Sequence, residues 1–179
     1  MKFVPLPIDG AMRIEPERHE DARGHFARVF CRETFAQQGL AGDLSQMSVS
    51  WNHRAGTLRG MHWQAYPHGE NKLVRVTRGA IFDVLLDLRA DAPSFRQRVG
   101  VELNADNAHA VYIPAGVAHG FLTQVDATEV LYAMDVSFQP EAARGLRWND
   151  PAFGIRWPTT EALVISDRDA NYPDFEAAP

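Results

Sequence analysis

The sequence predicts an all-β fold, an antiparallel sandwich or barrel with few short helices. Three observations lead there. Apolar and polar residues alternate in successive short runs, turn residues interrupt those runs about every 8–12 residues, and helical periodicity is sparse. Lys72 to Arg78 alternates, with Lys72, Val74 and Val76 on one face and Leu73, Arg75 and Thr77 on the other. Ile81 to Leu88 follows, with Phe82, Val84, Leu86 and Leu88 on one face. Arg78 and Gly79 between these runs suggest a tight hairpin. Arg98 to Leu103 repeats the pattern through Val99, Val101 and Leu103. Asp106 and Asn107 then mark a turn before Ala110 to Ile113. Pro114, Ala115 and Gly116 break that run, Val117 to Gln124 resumes it, and Thr128 to Met134 adds another strand. Arg32 to Gly39 predicts one short helix stopped by Gly39, and the tail after Pro158 another short turn.

The 179 residues suit a single domain, and no repeat or linker divides them. Hydrophobic residues at 45% and charged residues at 23% allow a sizeable core in a soluble globular chain. A net charge of -5 argues against bulk nucleic-acid binding, which needs a basic surface, but leaves room for one basic pocket. Cys31 is the one cysteine, so no intrachain disulfide forms; it reads as a small buried apolar residue. No signal peptide opens the chain and no uncharged run is long enough to span a bilayer, so the expected location is cytoplasmic, with no membrane partner.

Two segments carry the strongest chemical clue: Gly56 to Gln64, containing His62, and Pro114 to His119. Their spacings resemble the two cupin motifs, in which histidines and a glutamate hold a metal inside a small barrel. Here only His62 and His119 fall in ligand positions. Gln64 replaces a histidine, and Lys72, whose ammonium repels cations, lies near the expected acidic ligand. The resemblance therefore implies a cupin-type jelly roll and speaks against the usual metal, although Glu70 offers an oxygen ligand. Lys72 shares the parity of Val74 and Val76, a face expected to be apolar, where a lysine is costly unless paired. Taken singly, Lys72 reads better as an edge lysine reaching water, and His62 and His119 as satisfied structural histidines. The weight lies in the combination.

That combination extends in order along the chain. It runs through Asp21 to Phe26, Gly56 to Gln64, Lys72 to Val76, Gly79 to Val84, Asp87 to Arg89, Pro114 to Phe121, Tyr132, Trp148 to Pro151, Ile155 to Pro158 and Ser166 to Asp169. This series resembles the dTDP-4-dehydrorhamnose 3,5-epimerase family from about Asp21 to Asp169. The resemblance implies a cofactor-free epimerase acting on a nucleoside-diphosphate 4-keto-6-deoxy sugar, with C3 and C5 made acidic by the C4 ketone. It assigns His62 as the base and Asp169 as the carboxylate orienting it. It puts Lys72 beside the C4 oxygen and makes Tyr132 the opposing acid. It places Arg23 and Arg59 on the diphosphate, Phe26 and Gln46 on the base, and His119 on the sugar. Without it, Asp169 reads as a solvated tail residue, Tyr132 as core packing, and Arg23 and Arg59 as surface charge. It also implies a homodimer in which residues 1–20 form an exchanging arm; Phe3, Val4, Leu6 and Ile8 between prolines suit an extended edge segment.

Strict alternation puts Arg59 and His62 on opposite faces unless Gly60 allows a bulge. Ser48 stands where asparagine is usual in the family, Arg28 where glutamate is frequent, and Phe138 where a second tyrosine is common. These departures leave the nucleotide, the sugar and the number of inverted centres open. Trp148 and Trp157 read as packing residues. Two other readings stand beside the epimerase: a metal-dependent cupin oxygenase or isomerase using His62, His119 and Glu70, and a non-catalytic sugar-binding cupin.

Overall fold

Alternation along the chain becomes two facing antiparallel sheets in the computed structural model, which describes residues 1–175. One sheet holds β1 (Lys2–Pro5), β2 (Met12–Glu15), β5 (Gln46–Asn52), β7 (Lys72–Arg78), β10 (Ala110–Ile113) and β12 (Thr128–Met134). Its order is β1-β2-β10-β7-β12-β5. The other holds β6 (Leu58–Gln64), β8 (Ala80–Asp87), β9 (Arg98–Asn104), β11 (Val117–Thr123) and β13 (Ala143–Gly145), in the order β13-β6-β11-β8-β9. This is the jelly roll that the paired motifs imply. A separate hairpin, β3 (Arg18–Asp21) with β4 (Gly24–Ala27), stands outside both sheets. Among the described residues, helix is confined to α1 (Arg32–Gln37), α2 (Asp167–Ala170) and a single 3-10 turn at Pro140–Ala142. Among the described residues no helix is long and apolar enough to cross a membrane.

Strand parity sorts the apolar residues into layers. Val74, Val76 and Val130 from the six-stranded sheet meet Ile81, Leu85, Val101, Leu103, Val117 and Phe121 from the five-stranded sheet, and these fill the interior. The opposite parity of the five-stranded sheet, with Leu58, Met61, Val84, Leu86 and Leu122, is covered by Leu146, Phe153 and Trp157 from the C-terminal third. Trp157 donates its indole N–H to the Trp148 carbonyl at 2.9 Å, consistent with a packing role. Outside the six-stranded sheet, Leu73, Tyr112 and Ala133 pack under Phe35 of α1.

Two expectations need correction. Arg78 and Gly79 do not close a hairpin: β7 pairs with β10 and β12, whereas β8 pairs with β9 and β11. The chain crosses here from one sheet to the other. Gly79 has φ +82°, and a Cβ there would sit 3.0 Å from the Thr128 Cα, so this corner demands glycine. Cys31 is half-buried rather than buried, because it occupies the N-cap position of α1 at the edge of its apolar cluster.

Candidate active site

The bulge at Gly60 forms. On β11, His119 pairs with His62, but Phe121 pairs with Arg59, so the register shifts between them. Gly60 has φ +125°, and a Cβ on it would lie 2.5 Å from the Gly120 Cα. Two glycines thus let β6 and β11 approach closely, and the extra residue turns Arg59 and His62 to the same side. Both line one cavity of about 300 Å³ with Lys72, His119, Phe121, Tyr132 and Asp169. An adjoining lobe of about 400 Å³ shares Ser48, His62, Lys72 and Tyr132, and adds Gln46, Gln64, Phe138 and Arg168.

The two walls carry different chemistry. His62 sits on the five-stranded sheet; Lys72 and Tyr132 sit on the six-stranded sheet facing it. His62 Nε2 lies 2.7 Å from Asp169 Oδ1. An ionised carboxylate only accepts, so Nε2 carries the hydrogen and the neutral ring keeps its lone pair on Nδ1. The other Asp169 oxygen accepts the Gly60 N–H at 3.2 Å. The Ser166 hydroxyl caps α2 by accepting the Asp169 N–H, fixing the backbone that delivers this carboxylate. Burial pushes the Asp169 carboxyl up, but the hydrogen bond and charge of His62, the Gly60 N–H and Arg168 outweigh it, leaving it below its ordinary value. The Tyr172 ring stands edge-on to His62, with centroids 6.1 Å apart. It reaches that place because Gly145 has no side chain where the ring lies.

Across the cavity, burial drives the Tyr132 phenol well above its ordinary value. The Asp83 charge adds to this and Arg59 offsets part of it. The phenol therefore stays protonated at neutral pH. The Tyr132 ring meets His119 edge-on at 6.0 Å. Lys72 Nζ lies 2.9 Å from Glu70 Oε1, both side chains largely buried. Arg59 Nε donates to the buried Asn52 Oδ1 at 2.9 Å, which sets the guanidinium at the cavity rim. Gln46 accepts the Phe138 N–H at 3.0 Å through Oε1, so its amide nitrogen remains a donor for the cavity.

Of the residues singled out in the sequence, His62, Lys72, Tyr132, Asp169, Gln46, Arg59 and His119 line the two lobes. Arg23 and Phe26 do not. Both ride on the β3–β4 hairpin, where Arg23 pairs with Asp21 at 2.6 Å and Phe26 is 71% exposed. Phe26 and Arg28 line a separate hollow with Met1, Glu17, His19 and Thr34. The metal set His62, His119 and Glu70 is not favoured either, since each side chain has its own polar partner. Among the described residues no group of three or more His, Cys, Asp or Glu side chains is arranged to hold a metal.

Sequence reasoning missed Asp83. It is fully buried on β8, with Oδ2 2.7 Å from His119 Nε2 and Oδ1 unpartnered among the described residues. A signal existed: Asp83 shares the inward parity of Ile81 and Leu85, the same anomaly that marked Lys72. Asn52, the clamp on Arg59, gave no comparable signal, because asparagine at a strand end reads as a turn residue.

Comparison with known proteins matches the chain to one family along nearly its whole length. The family model described as dTDP-4-dehydrorhamnose 3,5-epimerase matches residues 5–177. A relative from Sinorhizobium fredii named dTDP-4-dehydrorhamnose 3,5-epimerase is 38% identical over 179 residues, covering 100% of this chain and 92% of its own. The crystal structure of the enzyme so named from Elizabethkingia anophelis superposes with a TM-score of 0.94 at 34% identity, covering 98% of this chain and 96% of that one. The one from Bacillus anthracis, with TDP and PPi bound, gives 0.93 at 37% identity over 97% of this chain and 99% of that one.

Proposed function

Since the chain belongs to the dTDP-4-dehydrorhamnose 3,5-epimerase family, we propose that it inverts C3, C5 or both in dTDP-4-dehydro-6-deoxyglucose without a cofactor. A shared fold alone would not license an activity. One observation carries the mechanism: the His62–Asp169 pair and the Tyr132 phenol occupy opposite walls of one cavity. His62 Nδ1 takes the proton from the carbon next to the ketone, and the C–H electrons pass through the carbonyl to the C4 oxygen. Asp169 stabilises the imidazolium, and the Lys72 ammonium faces the developing enolate oxygen. Tyr132 then delivers its proton to the other face of the same carbon, and solvent restores the phenol.

For substrate binding, Arg59 holds the diphosphate, His119 contacts the sugar and Gln46 donates to the base. Arg23 and Phe26 join them from a second copy of the chain. Two features support a homodimer. The β3–β4 hairpin stands clear of its own cavity with Phe26 exposed. Met47, Val49 and Trp51 form an exposed apolar stripe on β5, one edge of the six-stranded sheet. Residues 1–20 are the proposed exchanging arm; because β1 and β2 pair within their own sheet, the part of it that reaches the second copy is the end leading into the β3–β4 hairpin.

Incubation with nucleotide 4-keto sugars in deuterated water, with and without a chelator, tests the reading. Deuterium should enter C3 or C5 of the dTDP sugar, with inversion, at the same rate in both. No exchange with any sugar, or exchange abolished by the chelator and restored by metal, would overturn it.

A further inference from the structure

We propose that Glu70 is a positioning residue for this reaction: it anchors the Lys72 ammonium so that its remaining donors face the reacting oxygen. The inference rests on the reading that Lys72 faces the C4 oxygen. Glu70 precedes β7 and is 9% exposed, on the wall of the larger lobe. Its two oxygens are both engaged. Oε1 lies 2.9 Å from Lys72 Nζ, and Oε2 accepts from Gln64 Nε2 at 3.2 Å. Gln64 has no freedom to reverse. Its Oε1 accepts the Gln139 backbone N–H at 2.6 Å, and its Nε2 also reaches the His68 carbonyl at 3.2 Å. The amide must therefore donate to Glu70, and Glu70 accepts at both oxygens, the pattern of an ionised carboxylate.

The result is a relay of fixed polarity from the backbone of Gln139 through Gln64 and Glu70 to Lys72. A lysine ammonium is a compact charge on a flexible stem, and without an anchor it would sample many positions. One of its three N–H groups is used by Glu70, which leaves two for the cavity. A donor held in place before the reaction stabilises developing charge better than one that must reorganise. The relay also explains glutamine at position 64. A histidine there could not accept the Gln139 N–H and donate to both Glu70 and the His68 carbonyl in this arrangement.

Glu70→Gln and Glu70→Asp test this, with Lys72→Met measured alongside. Glutamine removes the charge and turns one accepting oxygen into a donor. Aspartate keeps the charge but is one methylene too short to reach both Lys72 and Gln64. A hydrogen bond to a charged group sets the scale, so kcat of Glu70→Gln should fall about 10- to 100-fold, with Glu70→Asp between it and the parent. Both should bind dTDP at the parent's stoichiometry and affinity, which a general loss of structure would not allow. Parent-like kcat in either variant overturns the inference, as does equal impairment of both with dTDP binding lost. If Lys72→Met turns over normally, the Lys72 assignment itself fails. If Lys72→Met is inactive while the Glu70 variants are unaffected, only the Glu70 inference fails.

Discussion

His62 and Asp169 lie 107 residues apart in the chain and meet at 2.7 Å, one on β6 and the other on α2. The C-terminal segment thus completes the proposed base that the five-stranded sheet only begins. Asp169 can hold the imidazolium only while ionised, and its folded-state pKa lies below the ordinary carboxylate value. Its contribution is fully present above that ordinary value and is lost as pH falls through the lowered one. Asp169→Asn should reduce turnover by about 10²-fold or more. It should also flatten the dependence of thermal stability on pH in the acid range. Unchanged turnover would separate Asp169 from the base.

Tyr132→Phe removes the proposed acid and leaves the base. His62 can still form the enolate and return a solvent-derived deuteron to the original face. Exchange with retained configuration should persist while inversion falls by about 10²–10⁴-fold. His62→Ala should abolish both. Deuterium incorporation by NMR, read with product configuration, distinguishes the two variants. Normal inversion in Tyr132→Phe removes the phenol from the mechanism.

Arg23 and Phe26 are assigned to the substrate, yet they lie outside their own chain's cavity. The proposed homodimer resolves this, and light scattering should give twice the chain mass. Trp51→Glu puts a charge on the exposed β5 stripe and should shift the mass toward one chain while weakening dTDP binding. A monomeric parent at working concentration would contradict the arrangement.

Asp87 is fully buried and grips Arg89, with Nε and Nη2 at 2.9 and 2.7 Å, and the Ser94 hydroxyl at 2.6 Å. Burial raises its carboxyl, but Arg89 and Ser94 lower it further, so it ends below the ordinary value. Stability from this group is present above the ordinary pKa and lost as pH falls through the lowered one. Arg89→Ala strands the carboxylate and should cost about 3 kcal/mol, toward the lower end for a broken buried pair because Arg89 is partly exposed. Denaturant unfolding measures it; a loss near zero would show that Asp87 finds another partner.

Lys72 and the β7, β10 and β12 strands were legible because parity is a local property, whereas Tyr132 came only through the family resemblance and otherwise read as core packing. A lysine among valines is anomalous wherever the strand lies. Arg78 and Gly79 misled for the complementary reason. A glycine at a strand end signals reversal, but whether the next strand joins the same sheet depends on packing many residues away. The common face of Arg59 and His62 was undecidable for similar reasons, since it needs Gly120 on another strand to make room for Gly60. Asp83 was legible by the parity rule already applied to Lys72 and was overlooked. Glu70 was noticed only as a metal ligand, because its link to Gln64 depends on a loop geometry that spacing does not encode.

If the proposed base on one sheet and acid on the other hold, the gap a carbanion must span is the spacing of the sandwich itself. Stereochemical fidelity then becomes a mechanical property of the interior. Val76 and Phe121 are part of the filling between the sheets and act as shims. A bulkier residue at Val76 would wedge the walls apart and make return to the original face more frequent relative to inversion, without touching any group that handles a proton. The ratio of exchange to inversion would then serve as a ruler for sheet separation, readable in solution from the product alone.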